Sequence, residues 1–176
     1  MTMKKVFYLL STLLFMMITG CRSSSEAEKT SLNSQIQSLE KKLFGQDANY
    51  NDQDARFLMQ LYLRYADSLP ADSVSPDYLF KAADISLYQQ RGQQTIGILD
   101  QLITEYPGHR HHPMSVFLKA FVYDTKMGDT AAARRFYTSF LQEFPEHEFA
   151  DDATFALRNL GKSPEELIRE FEQMNQ

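Results

Sequence analysis

One cysteine in 176 residues rules out an internal disulfide framework and a cysteine-based zinc site. Positive charge is also scarce. Eighteen Lys and Arg face 23 Asp and Glu, a net charge of −5, whereas a nucleic-acid binder presents a basic face. Seven glycines and six prolines are too few for a sandwich with many tight turns or for a linker-dominated chain. Among catalytic signatures, Gly-x-Ser-x-Gly, a phosphate loop and a Rossmann fingerprint are all missing. What is present is a 43% hydrophobic composition, which places the chain among globular proteins.

The N-terminus reads as an address. Lys4 and Lys5 precede an apolar run of thirteen residues, Val6 to Ile18. That is short of the roughly 20 needed to span a bilayer, and it suits the core of a signal peptide. The run ends in Ile18-Thr19-Gly20-Cys21, an aliphatic residue, two small residues and the only cysteine. This resembles the lipobox of bacterial lipoproteins. The resemblance implies cleavage of residues 1–20 and acylation of Cys21, and Arg22 in place of an aspartate favours the outer membrane. Several acyl chains make such an attachment lasting, at about 0.8 kcal/mol per buried methylene. The mature chain would carry 16 basic and 23 acidic residues, a net charge of −7. Residues 22–31 are polar and are expected to form a flexible tether, leaving residues 32–176 as the folded domain.

The prolines reveal a period. Pro70, Pro107 and Pro145 are spaced by 37 and 38, and Pro76 and Pro113 each follow by six. Proline ends a helix but suits the first turn of the next. Five apolar or small positions precede each stop at the same offsets: Leu58, Tyr62, Tyr65, Ala66 and Leu69; Thr95, Leu99, Leu102, Ile103 and Tyr106; Ala133, Tyr137, Phe140, Leu141 and Phe144. Steps of three and four mark one face of a helix, and threefold recurrence marks a structural repeat. Phe80, Phe117 and Phe155 recur in the helices that follow, with Ala83 and Ala120 three residues on and Arg158 at that place in the last copy.

Local chemistry predicts eight helices. The first is 33–44, with a stripe of Leu32, Ile36, Leu39 and Leu43, ended by Gly45. A second, capped by Asn51 or Asp52, runs to Ser68. Ser75 caps 76–90, and 93–106, 113–127 and 149–160 follow similar logic. Asp129 caps a helix ending at Phe144. Ser163-Pro164-Glu165-Glu166 opens the last as a capping box. Gly97 lies inside the fourth helix, where it costs about 1 kcal/mol against alanine, and a close backbone contact would account for it.

Gly128, Ala133, Tyr137 and Pro145, with Phe117 and Ala120 upstream, resemble a tetratricopeptide repeat. The copy over 77–107 is weaker: Gly92 and Pro107 each slip by about one place, and Thr95 replaces the packing alanine. The stretch Phe144 to Ala153 is similar to repeats of outer-membrane lipoproteins of the assembly and envelope-coordination type. The resemblance implies an all-α, right-handed superhelical stack of about four antiparallel helix pairs. It also implies a groove lined by the first helix of each pair: Tyr78, Lys81, Ile85, Tyr88 and Gln89, then Ser115, Leu118, Val122, Thr125 and Lys126. Such a groove suits a helix or an extended peptide.

Other candidates are weaker. Among His109, His111, His112 and His147, the first and last each stand two places after a turn proline. They are expected to be turn residues, with no nearby carboxylate or cysteine to complete a metal shell. Asp47, Asn49 and Asn51 mimic the start of a calcium loop, but Asp52 and Leu58 stand where glycine and glutamate belong. Asp151-Asp152 and Glu165-Glu166 sit at helix starts, where the dipole favours negative charge. The expectation is therefore a lipid-anchored, non-catalytic scaffold without cofactor or metal, binding envelope or outer-membrane proteins. A secretin or pilus assembly helper, or a tether without a dedicated groove, are the alternatives.

Overall fold

The computed structural model describes residues 26–46, 48 and 50–174, and every regular element among them is helical. The expected signal segment 1–20, Cys21 and the start of the expected tether lie outside the described residues. No helix among the described residues is long and apolar enough to cross a membrane.

The chain forms two compact units, one ending at Leu61 and the other beginning at Tyr62. In the first, helix α1 spans 26–44, starting well before the expected residue 33 and absorbing residues 26–31 of the expected tether. Glu26, Ala27, Glu28 and Lys29 are good helix formers with acid towards the N-terminus, and the Thr30 hydroxyl donates to the Glu26 carbonyl at 2.9 Å. Leu32, Ile36 and Leu43 are buried. Helix α2, Asp52–Ser68, is capped by Asn51, whose Oδ1 accepts from the Asp54 N–H at 2.8 Å. Asp54 also pairs with Lys42. Asn51 is thus a cap and Leu58 a core residue, while Asp47 and Asn49 lie outside the described residues.

The second unit runs through α3 (Ser75–Tyr88), α4 (Gly92–Glu105), α5 (His112–Val122), α6 (Thr130–Glu143), α7 (Ala150–Asn159) and α8 (Pro164–Met174). Helices α3 to α7 each pack on the next in sequence, so short turns produce neighbouring antiparallel rods. The three proline turns match bond for bond. Asp72, His109 and His147, each two places after its proline, donate backbone N–H to Leu69, Tyr106 and Phe144 carbonyls. Their side chains accept from the N–H two residues on: Val74 to Asp72 at 3.0 Å, His111 to His109 Nδ1 at 3.4 Å, and Phe149 to His147 Nδ1 at 3.3 Å. An aspartate and two histidines therefore do the same local job.

Two expected details change. Ser75 does not cap α3: it lies within the helix and donates its hydroxyl to the Leu69 carbonyl at 2.7 Å, tying the turn shut. Residues Tyr123–Met127 extend α5 as a π-turn, a one-turn widening that ends at Gly128 in the left-handed region, φ 65°. Asp129 then caps α6, accepting from the Ala132 N–H at 2.9 Å, and Ser163 and Glu166 close the expected capping box on α8.

Ring contacts lock each repeat to the next. Phe80 on α3 stacks on His111 at 4.1 Å, and Phe117 on α5 meets Phe149 at 5.1 Å. Phe117 also touches Tyr137 and Phe140 inside a core with Val116, Ala120, Ala133 and Ala153. Phe155, the third of the series, is 61% exposed.

Candidate interaction face

The expected groove residues separate by burial. Tyr78 and Ile85 are buried, and Ser115 and Val122 are fully so. Val122 presents no surface to a partner. Its Cγ1 lies against Gly92, where an added Cβ would also meet the Met127 sulfur at 3.0 Å and Lys126 Cβ at 3.1 Å. Gly92 is thus not a displaced copy of Gly128. The residue matching Gly128 is Gln90, which adopts the same left-handed conformation at φ 60°. Gly92 instead lets the π-turn approach the α3–α4 corner. That corner is pinned by a buried hydroxyl pair: Thr95 Oγ1 donates to Ser86 Oγ at 2.9 Å and also lies 3.1 Å from the Arg91 carbonyl. Thr95 fills the alanine place without leaving its hydroxyl unsatisfied.

Leu118 is half-buried against the α5–α6–α7 core, and Gln89 is half-buried. Lys81, Tyr88, Thr125 and Lys126 remain exposed, Tyr88 at 68%. Lys81 Nζ lies 5.6 Å from the Tyr62 ring centroid and 5.5 Å from that of Tyr78. Its cation is oriented by two aromatic faces, which themselves stack at 5.0 Å. The end of α3 thus carries an exposed aromatic ring, and the end of the π-turn, packed on Gly92, carries an exposed lysine and the partly exposed Met127. The spacing rule alone did not identify Met127. The signal for it is the packing of the π-turn on Gly92.

Elsewhere, Ala66, Asp67, Pro70, Gln101, Glu105 and Tyr106 line an open cleft. Its walls bind one another. Gln101 Nε2 donates to Asp67 Oδ1 at 3.2 Å and to Glu105 Oε2 at 3.3 Å, and the Tyr106 hydroxyl donates to the Pro70 carbonyl at 3.0 Å. Burial raises the Tyr106 phenol, and the Glu105 and Asp67 charges raise it further. The acid pairs Asp151-Asp152 and Glu165-Glu166 occupy the first turns of α7 and α8.

The histidine turn has a neighbour that sequence spacing does not reveal. Asp77, from the preceding repeat, places Oδ1 at 3.0 Å from His111 Nε2, 3.7 Å from His109 Nε2 and 2.8 Å from Arg110 Nη2. Burial pushes the Asp77 carboxyl up, but the Arg110 hydrogen bond and the neighbouring positive groups outweigh it and hold the carboxyl below its usual range. Burial holds His111 below the usual imidazole value, against the pull of Asp77.

The sequence profile of the tetratricopeptide repeat matches residues 77–109 and 115–147. The chain carries two such repeats. They coincide with the α3–α4 and α5–α6 pairs, so the stack is of the tetratricopeptide α-solenoid class. Repeats of this kind generally act as non-catalytic modules that bind peptides or proteins. No curated protein matches the chain.

Proposed function

We propose that this protein is a lipid-anchored scaffold of the outer membrane. It holds a helix or extended segment of another envelope protein against the face formed by Lys81, Tyr88, Lys126 and Met127. One observation carries the docking role: two tetratricopeptide repeats expose an aromatic ring at the end of α3 and a cation at the end of the π-turn. Aromatic and basic groups in that pattern suit a partner with an apolar stripe flanked by acid. Support for the anchor comes from the basic residues, thirteen-residue apolar run and Ile18-Thr19-Gly20-Cys21 of the N-terminus. Assembly of outer-membrane proteins or coordination of the envelope is the process such a tethered adaptor serves.

Membrane fractionation tests the anchor. Cys21→Ser is expected to move the protein from the membrane pellet to the soluble extract. Persistence of the variant in the pellet would contradict lipid anchoring.

A further inference from the structure

Asp77, His109 and His111 converge at the seam between the first matched repeat and the turn that opens the second. Each offers one ligand atom, and the three atoms all lie within 4.8 Å of one another. We propose that these three side chains form a binding site for a divalent transition metal of the zinc class, clamping α3 to the next turn. Two imidazoles and a carboxylate are a borderline donor set. It suits Zn²⁺, Co²⁺ or Ni²⁺ and not the all-oxygen preference of Mg²⁺ or Ca²⁺.

The spacing fits this use. Bonds of about 2.0–2.1 Å in a tetrahedron put neighbouring ligand atoms about 3.3 Å apart. The Oδ1–Nε2 separations of 3.0 Å to His111 and 3.7 Å to His109 bracket that value. All three side chains are one-quarter exposed or thereabouts, at 22%, 23% and 28%, so an ion can enter and a fourth position stays open to water. The Phe80 ring stacked on His111 fixes that imidazole's plane, as an orienting neighbour does in metal sites.

Two contacts yield when metal binds. Arg110 now reaches Asp77 Oδ1 through a largely exposed side chain, and it can turn to the other carboxylate oxygen. His109 Nδ1 now accepts weakly from the His111 N–H at 3.4 Å. A ring ligating through Nε2 carries its proton on Nδ1 and gives that contact up. The matching positions show that the site belongs to one seam only. Met114 stands where Asp77 does in the next repeat, and Phe149 stands where His111 does, so two of the three ligands have no counterpart there.

Those equivalent residues supply variants compatible with the fold, His111→Phe and Asp77→Met. The test is calorimetric titration of the tag-free full chain with Zn²⁺, with Co²⁺ visible absorption as a second probe. One ion per chain is expected, with a rise in the thermal midpoint. Each of the two variants should keep its helical circular dichroism and weaken binding by about tenfold or more, while His147→Asn leaves binding unchanged. Failure to bind Zn²⁺, affinity that survives both substitutions, or an equal loss in His147→Asn would overturn the site.

Discussion

Asp124 sits in the widened end of α5, half-buried. Burial alone pushes its carboxyl above the ordinary value of 3.8. Its charge in turn adds to the burial that pushes the Tyr137 phenol up. A carboxyl raised in the fold is penalised when ionised: the penalty is complete above the folded pKa and absent below 3.8. Asp124→Asn is therefore expected to raise the thermal midpoint at pH 7, with the gain shrinking as the pH falls towards 3.8. Thermal melts across that range check it. Gly97 gives a second prediction. The close contact expected from sequence does not exist, since an added Cβ meets nothing within 4 Å. Gly97→Ala should then stabilise the protein by about 1 kcal/mol, read from denaturant unfolding. Single residues were legible in sequence where their role is local, as with Asn51, Asp129 and Ser163. They were not legible where a partner comes from a different helix or turn, as with Asp77 beside the histidines or Val122 beside Gly92.

At the scale of elements, the proline period foretold the three turns at Pro70, Pro107 and Pro145 because the cause is local: proline stops one helix and starts the next. The π-turn was not foretold. It lies against Gly92 at the α3–α4 corner, a tertiary contact that no spacing encodes. The early start of α1 escaped because polar, charged residues serve tether and helix equally well. The aromatic series Phe80, Phe117, Phe155 looked uniform in sequence, yet its energetics are not. Phe117 is 8% exposed and Phe155 61%. Phe117→Ala should cost about 3–5 kcal/mol, because it removes the ring that joins α5, α6 and the following turn. Phe155→Ala should change stability by about 0.5 kcal/mol or less. Equilibrium unfolding of the two variants side by side tests the interlock, and equal costs would contradict it.

For the molecule as a whole, helix pairs α3–α4 and α5–α6 pack into a support, with rings and small residues in its core. Function is left to what the support displays. The resemblance to the tetratricopeptide repeat implied a display on the first helix of each pair. Burial then divided it, withdrawing Tyr78, Ile85, Ser115 and Val122 into the core and leaving Lys81, Tyr88 and Lys126 at the surface. A photo-crosslinking amino acid placed in intact cells at position 88, at 126, or at exposed Arg134 on α6 tests the docking face directly. The account predicts one shared envelope-protein adduct from positions 88 and 126 and none from 134. The same adduct at all three positions, or none at 88 and 126, would contradict it.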